Sequence, residues 1–387
     1  MKTRREILRL GLVGTGALIV GNTLSGCRAS GGRGAALADA MGRYGKLGPP
    51  DANGLRLAPG FTGRVVAITG ARPAVDSKYL WHAAPDGGAV FGTPDGGWIY
   101  VSNSEVSPNG GVGALRFAPD GRVVDAYRIL SGTHLNCAGG PTPWGTWLSC
   151  EEHDRGRVHE CDPTGARPAV VRPALGVFRH EAAAVDPVGR CVFLTEDQPD
   201  GRLYRFVAAG PVEDLDHGHL EAAEVSASGD VRWHKVPDPT ASALATRHQV
   251  ARSTAFNGGE GAWYHAGVLY FTTKGDDRVW ALETARNVVR LIYDDDSFEA
   301  PPLRGVDNVT VNARTGDVLV AEDLGSMQLV AVPPDGRPRP VVKIVGHDTS
   351  EIAGPAFDPS GTRLYFSSQR GSDGRGVTYE VSGPFGG

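Results

Sequence analysis

Six short apolar strands with similar polar endings recur along this chain. Aligned on one residue at each strand end, the successive steps are 46, 45, 77, 49 and 47 residues. Near-equal repeats of this length, each holding several strands, are typical of β-propellers, in which every blade packs against its neighbours. We therefore predict an all-β fold, a six-bladed β-propeller. The aligned residues are Glu105, Glu151, Glu196, Thr273, Glu322 and Gln369.

The one long step predicts an insertion on one blade, between Leu203 and Phe256 and mainly around residues 207–255. Elsewhere the composition favours short strands joined by turns, because Gly (54 residues) and Pro (27 residues) are frequent. The net charge is −5 with acidic and basic residues interspersed, so the chain offers no basic patch for a nucleic acid as a specific partner.

The first 27 residues predict an export signal that precedes the fold. The run TRREILR, residues 3–9, resembles the twin-arginine pattern, and LSGC, which ends at Cys27, resembles a bacterial lipobox. We expect a lipid on Cys27 that holds the protein at the outer face of a bacterial membrane. The alternative is ordinary cleavage, which leaves a periplasmic or extracellular protein. Residues 28–56 predict a flexible tether and residues 57–387 the propeller.

Four cysteines lie in the body of the chain. In an exported protein this number predicts disulfides, with three possible connectivities. If Cys150 is a metal ligand, at most one bridge can form among the others, and the sequence does not indicate which. The four are Cys137, Cys150, Cys161 and Cys191.

The segment NCAGGPTPWGTWLSCEE, residues 136–152, combines a thiol with two carboxylates. We interpret its Gly and Pro residues as a tight loop and the following TWLS as a strand that ends at Cys150, Glu151 and Glu152. A thiolate adds a soft donor to hard carboxylate oxygens, a combination that favours a transition metal.

A second series of motifs marks the starts of the innermost strands. Glu181, Glu260 and Asp307 occupy corresponding positions in HEAA, GEGA and VDNV, at separations of 79 and 47 residues. In a propeller the starts of the inner strands converge on one mouth of the central channel. Carboxylates that meet there repel one another unless cations neutralise them, so the series predicts a metal site.

These motifs, together with RHEAAAVDP from Arg179, TED from Thr195 and VDN from Val306, closely resemble the PhoX-type alkaline phosphatases. The resemblance extends from about Gly88 to Gly371. It implies an iron pair bridged by a cysteine thiolate, calcium ions at the propeller axis, and hydrolysis of small-molecule phosphate monoesters. Carried over by motif, Cys150 is the bridging thiolate, and Glu181 and Glu260 complete the catalytic centre as iron ligands. Glu151, Asp307 and Glu322 follow as iron or calcium ligands, with Glu105, Asn103, Glu196 and Asp197 in the calcium shell.

One position departs from the family pattern. The phosphatases carry an arginine two residues before the fourth-blade glutamate, where this chain has Gly258. Arg179 and Lys274 are the predicted replacements for binding the phosphate, with Arg252 as a further possibility.

Two other functional classes stay open from the sequence. A calcium-dependent lactonase or esterase would use axial carboxylates and leave Cys150 dispensable. A non-catalytic propeller, stabilised by metal, would bind a ligand or partner at the cell surface. We expect a monomer, because closure of the propeller leaves no free sheet edge for a partner. A membrane is expected as a partner only through the lipid on Cys27.

Overall fold

Six antiparallel sheets follow one another around a central axis in the computed structural model, which describes residues 44–333 and 337–386. The first strand of each sheet is innermost, and neighbouring inner strands are in contact around the ring. The ring closes where the inner strand of the sixth sheet contacts that of the first. The predicted six-bladed propeller is thus confirmed.

The strands are numbered in chain order, and each blade is given from its innermost strand outwards. Blade 1 comprises β3 (Pro85–Gly92), β4 (Trp98–Ser104), β5 (Gly110–Phe117) and β6 (Val123–Thr133); blade 2 comprises β7 (Asn136–Pro141), β8 (Trp147–Glu151), β9 (Val158–Cys161) and β10 (Val170–Val171). Blade 3 comprises β11 (His180–Asp186), β12 (Cys191–Glu196), β13 (Leu203–Ala208), β14 (Gly218–Val225) and β15 (Val231–Lys235). Blade 4 comprises β16 (Gly259–His265), β17 (Val268–Thr273), β18 (Arg278–Glu283) and β19 (Val288–Asp294). Blade 5 comprises β20 (Val306–Val311), β21 (Val318–Glu322), β22 (Gln328–Val332) and β23 (Arg339–Ile344), and blade 6 comprises β24 (Ile352–Phe357), β25 (Arg363–Ser368) and β26 (Val377–Ser382).

Two N-terminal strands complete the last two blades. β1 (Leu55–Leu57) pairs with β23, and β2 (Thr62–Ile68) pairs with β26 as the outermost strand of blade 6. The prediction of a tether up to residue 56 is therefore wrong at its C-terminal end. Leu55 is buried against blade 5, and the buried hydroxyl of Tyr44 donates to Asp317 at 2.8 Å.

The insertion enlarges blade 3. It supplies the fifth strand, β15, and a loop of residues 236–258 that leads to the start of β16. Short 3₁₀ helices occur at four places in the described chain: Pro173–Leu175, Thr246–His248, Lys274–Asp276 and Asp295–Ser297. None of the helices in the described ranges is long or apolar enough to span a membrane.

Hydrophobic cores fill the spaces between blades, because alternate side chains of each strand point to opposite faces of a sheet. On β8, Leu148 and Cys150 pack towards blade 3, whereas Trp147 packs towards blade 1. All four described cysteines are free thiols, so the disulfides predicted for an exported protein do not form among them. Cys27 and the export signal lie outside the described residues.

The inner strands run too close together around the axis for ordinary side chains. A Cβ atom on Gly140 would lie 1.7 Å from the carbonyl oxygen of Ala183 in the next blade. The sequence predicted a tight loop here, but the glycines belong to the inner strand β7. Their role is close approach between strands rather than turning the chain. Beneath the mouth the channel holds a cavity of about 20 Å³, room for about one water molecule.

This crowding predicts that substitution of two different glycines by alanine has different effects on stability. We expect Gly140→Ala to destabilise the fold by about 1–3 kcal/mol, because the added methyl group must displace the backbone of blade 3. Gly210→Ala is the matched control, since a Cβ there meets no atom within 4 Å. Thermal unfolding followed by circular dichroism measures both. Equal melting temperatures for the two variants would contradict the packing argument.

Candidate metal centre

A bulge lies near the start of each inner strand, and in five of the six strands it turns one side chain towards the axis. In blade 1, Pro85 pairs with Ser104, and the next paired residue, Gly88, pairs with Ser102. The inner strand therefore advances by three residues where its partner advances by two. The same shift occurs in all six inner strands, and bulges of this kind re-aim side chains. The residues at the first bulged position are Asp86, Cys137, Glu181, Glu260, Asp307 and, in blade 6, Gly354.

A second ring of polar side chains surrounds the first. Each member of this second ring is the residue directly after the second strand of its blade, which is the strand that pairs with the inner strand. Glu351, just before β24, adds a further carboxylate on the blade 6 side. The second ring comprises Glu105, Glu152, Asp197, Lys274, Asp323 and, in blade 6, Gln369, whose amide group donates to Asp86 and Glu105.

The two rings form four overlapping groups of possible metal ligands, in each of which the ligand atoms lie within 4.8 Å of one another. One group includes the thiol, and three contain carboxylates alone. Because the groups share members, they form one continuous site across the channel mouth. The groups are Glu105, Cys137 and Glu152; Asp86, Glu105 and Glu351; Glu181, Glu260 and Asp307; and Asp307, Asp323 and Glu351.

Glu181 gives the strongest indication of a cation site. The residue is fully buried, and neither carboxylate oxygen has a hydrogen-bond partner among the described residues. Burial, followed by repulsion from Glu260, raises the pKa of the Glu181 carboxyl well above its usual range. A buried carboxylate without a donor is costly unless a cation binds it, so this arrangement fits a metal ion.

Three other carboxyls of the site and the Cys137 thiol experience the same repulsion. Burial is the main cause in each case, and neighbouring carboxylates add to it. Burial and Glu105 raise the pKa of Asp86 well above its usual range, and burial and Asp86 do the same for Glu351 and for the Cys137 thiol. Burial and Asp197 raise the pKa of Glu152 to about 8.

Three cationic side chains partly offset this negative charge. Lys274 Nζ lies 3.0 Å from Glu260, 3.2 Å from Asp323 and 3.4 Å from Asp307. Burial opposes the charged form of Lys274, but the surrounding carboxylates outweigh it and raise the pKa of the ammonium group.

Two arginines lie at different edges of the site. Arg179 Nη2 donates to Glu152 at 2.5 Å, and Arg370 Nη2 donates to Glu105 at 2.8 Å. The Arg179 side chain is one-third exposed and that of Arg370 about half exposed, so both have free surface towards the solvent side of the mouth.

Cys150 is not part of the site, and the prediction of a thiolate there is wrong. It is fully buried in the hydrophobic core between blades 2 and 3, and burial raises the pKa of its thiol. Cys137, on the inner strand of the same blade, is the cysteine at the mouth, with Sγ 3.7 Å from Asp86 Oδ2. The physical reason is alternation: the side chain of Cys150 on β8 points between the blades, whereas the bulge in β7 turns Cys137 to the axis.

Glu151, Glu196 and Glu322 also lie outside the four groups, contrary to their predicted role as ligands. They are the last paired residues of their strands. The carboxylate of each accepts a hydrogen bond from the backbone N–H of the residue six positions later, at 3.0–3.2 Å. Their carboxylates therefore close the loop after the second strand. The residue that follows each of them, Glu152, Asp197 or Asp323, turns towards the mouth instead.

Asn103, predicted in the calcium shell, holds the inner strand of blade 2 instead. Its amide group donates to the carbonyl oxygens of Cys137 and Ala138 at 2.9 and 2.7 Å. Of the predicted ligands, the structure brings together Glu105, Glu181, Glu260 and Asp307, with the predicted phosphate-binding residues Arg179 and Lys274 beside them. As ligands, the sequence interpretation missed Asp86, Cys137, Glu152, Asp323 and Glu351.

Glu322, the last residue of β21, and Asp323, the residue after it, offer a test of whether the carboxylates that close loops differ from those that bind metal. We expect Glu322→Ala to destabilise the fold by about 2 kcal/mol, because two backbone N–H groups, those of Arg304 and Gln328, lose a charged acceptor. Its metal content should stay unchanged. Asp323→Ala should show the reverse, a lower metal content in a stable fold. Elemental analysis and thermal unfolding measure the two effects, and loss of metal from Glu322→Ala alone would contradict the assignment.

Comparison with known proteins gives a family match over a part of the chain that contains several residues of the metal centre. A sequence model of the family described as alkaline phosphatase PhoX matches residues 102–164 and 153–287. A search of curated proteins finds no match.

Solved structures share the fold at low sequence identity. Pseudomonas fluorescens PhoX, solved with vanadate as a transition state analogue, is 17% identical with a TM-score of 0.73, over 89% of this chain and 99% of that one. A Bacteroides thetaiotaomicron protein of unknown function is 9% identical with a TM-score of 0.54, over 87% of this chain and 84% of the other. Agrobacterium tumefaciens regucalcin, a calcium-binding protein, is 14% identical with a TM-score of 0.50, over 84% and 96% respectively. The motifs, the family match and the fold therefore agree.

Proposed function

We propose that this chain, which resembles the PhoX-type alkaline phosphatases in motifs and in fold, is a metal-dependent hydrolase of phosphate monoesters. The observation that carries the proposal is the convergence at the channel mouth of a thiol and several carboxylates, with Glu181 buried and unsatisfied. The family match and the PhoX fold support this reaction class.

The chemistry of the donors supports iron and calcium as the metals. The group of Glu105, Cys137 and Glu152 offers a thiolate with carboxylates and would hold iron. The groups made of carboxylates alone would hold calcium, which prefers hard oxygen ligands. When bound, these cations would supply the positive charge that stabilises a phosphoryl group during transfer.

The chain's own cations would bind and orient the substrate. Arg179 and Lys274 lie on the blade 3 and blade 4 sides of the mouth, and each is one-third exposed. Both can donate to the non-bridging oxygens of a phosphate ester, and the guanidinium group of Arg179 can do so with two N–H groups at once. The channel beneath them holds a cavity of only about 20 Å³, so the ester group must point outwards.

Lys274 compensates for the missing arginine at Gly258. A Cβ atom on Gly258 would lie 3.4 Å from Asp197 and 3.9 Å from the Cβ of Lys274, so this position borders the mouth. Gly258 has φ = +68°, a backbone conformation that L-residues rarely adopt. The loop therefore favours glycine here, and the cation is supplied by the adjacent Lys274, whose backbone N–H donates to the Gly258 carbonyl at 2.9 Å.

Hydrolysis of para-nitrophenyl phosphate by the chain from residue 35 onwards, loaded with iron and calcium, tests the proposal. We expect turnover that is lost after chelation and recovered when both metals are restored. A metal-loaded protein that hydrolyses lactones and no phosphate ester would support the lactonase alternative. Retention of metal without any hydrolysis would support the binding propeller.

Export by the twin-arginine route, lipidation of Cys27 and a monomeric state belong to the same proposal. Metabolic labelling with a radioactive fatty acid, compared with Cys27→Ala, tests the anchor.

A further inference from the structure

A side cavity opens between blade 2 and the insertion loop, defined as residues 236–258. Its volume is about 220 Å³. On one side lie Asp154 and Arg155 of the blade 2 loop, and Val177 and Phe178 precede the inner strand of blade 3. The insertion loop forms the opposite wall with residues 241–247. The phosphatase chemistry above makes no use of residues 241–247 of this loop.

The wall formed by the insertion loop is held in place by specific hydrogen bonds. Thr246 Oγ1 donates to the Val177 carbonyl at 2.7 Å, and Arg155 Nη1 donates to the Ala241 carbonyl at 2.9 Å. Within the loop, the Gln249 amide donates to the carbonyl oxygens of Asp238 and Leu244 at 2.7 and 3.0 Å. The cavity is therefore a preorganised feature, which lowers the cost of ordering the loop around a ligand.

The cavity lies near the phosphate-binding edge of the metal centre. Asp154, one of its lining residues, interacts electrostatically with Arg179. Phe178, another, is followed directly by Arg179, whose side chain donates to Glu152 of the second ring. At the other end, Arg247 of the insertion loop lies 3.1 Å from Asp200, in the loop that begins with Asp197. A phosphate ester bound by Arg179 would thus have its ester group beside the cavity.

The lining of the cavity indicates what kind of group fits. Six of its eleven lining residues are apolar, namely Val177, Phe178, Leu244 and three alanines of the loop, and Leu244 is half exposed to solvent. The charged groups at the edge, Asp154, Arg155 and Arg247, are mixed in sign. For comparison, a dry apolar cavity of ~150 Å³ accommodates benzene.

We propose that the side cavity binds the leaving group of the substrate, and that it selects phosphate monoesters of aryl or compact apolar alcohols over those of polyols. This inference rests on the proposed function, because it takes the phosphate position from the metal centre. It assigns a role in specificity to the insertion loop, with Leu244 as the residue that contacts the leaving group.

The test compares two non-hydrolysable probes, phenylphosphonate and methylphosphonate, by calorimetry on the metal-loaded full-length propeller. We expect phenylphosphonate to bind more tightly, and Leu244→Ser to weaken it about tenfold while methylphosphonate changes less than twofold. Ala243→Trp, which fills the cavity from an exposed position, should give the same selective loss. Leu80→Ser is the matched control, because Leu80 is 53% exposed compared with 50% for Leu244 and lies outside the cavity.

The outcomes separate this inference from the proposed function. Equal affinities for the two phosphonates, or equal losses in Leu244→Ser and Leu80→Ser, would overturn the leaving-group site and leave the phosphatase intact. Binding of neither phosphonate by a protein shown to hold its metals would overturn both. A ratio of kcat/KM for phenyl phosphate over glycerol phosphate that falls in Leu244→Ser and Ala243→Trp is the expected kinetic counterpart.

Discussion

Cys137→Ala is expected to lose iron and at least about a hundredfold in phosphatase turnover, whereas Cys150→Ala should retain both. Cys137 is the thiol that meets Glu105 and Glu152 at the mouth, and its removal takes away the soft donor that favours a transition metal. Loss of a group that merely orients a metal ligand typically costs 10- to 100-fold, so loss of a ligand itself should cost more.

Cys150→Ala is a matched control because it removes the same atom from the same blade. Cys150 packs in the hydrophobic core, so this variant should lose about 1 kcal/mol of stability through a small cavity and keep its metals. Elemental analysis, turnover of para-nitrophenyl phosphate and the thiolate-to-iron absorption band together report on both variants. If Cys150→Ala loses the band and Cys137→Ala retains it, the assignment of the thiolate is wrong.

The two cysteines also show how much of the fold and of the site could be predicted from the sequence. The repeat predicted the number of blades because strand ends recur at nearly equal steps, and each of the six aligned residues is the last residue of a second strand or the one directly after it. The repeat could not distinguish the last paired residue of a strand from the one after it. That difference of one residue moves a side chain from the space between blades to the channel mouth, as Glu322 and Asp323 demonstrate.

Glycine misled the interpretation of the inner strand of blade 2, and the same composition hides the inner strand of blade 1. Asp86 lies in Pro85-Asp86-Gly87-Gly88, a pattern that normally indicates a turn, and Cys137 precedes Ala138-Gly139-Gly140. Both segments are strands whose glycines allow the close approach of neighbouring blades: a Cβ on Gly87 would lie 2.5 Å from the Cα of Ala138. The signal that could have found them is positional, because Asp86 and Cys137 precede Glu181 by 95 and 44 residues, close to two blade repeats and one.

Removal of the metals is expected to make the stability of the protein strongly dependent on pH. Burial raises the pKa of Glu181 and Glu260 well above the usual range, and that of Glu152 to about 8. A carboxyl with a raised pKa keeps its proton in the folded chain after the unfolded chain has released its own, near pH ~4.3. The metal-free protein should therefore lose stability as pH rises from about 5 to 8 and beyond.

The expected size of this effect is a fall in melting temperature of about 10 °C between pH 5 and pH 9 for the chelated protein. The metal-loaded protein should show a much smaller change, because bound cations stabilise the ionised carboxylates. Differential scanning calorimetry across this pH range measures both forms.

Glu181→Gln makes the test specific to the metal centre. This isosteric change removes a fully buried carboxyl whose oxygens have no partner among the described residues, so the metal-free variant should be more stable than the metal-free parent at pH 9. Glu181→Gln should also bind metal more weakly, and metal should therefore raise its melting temperature less than it raises that of the parent protein. Glu299→Gln, at an exposed position, is the control and should leave both melting curves unchanged. A metal-free parent whose melting temperature is as insensitive to pH as that of the loaded protein would show that the carboxylates at the mouth do not repel one another, and the argument for a cation site would fail with it.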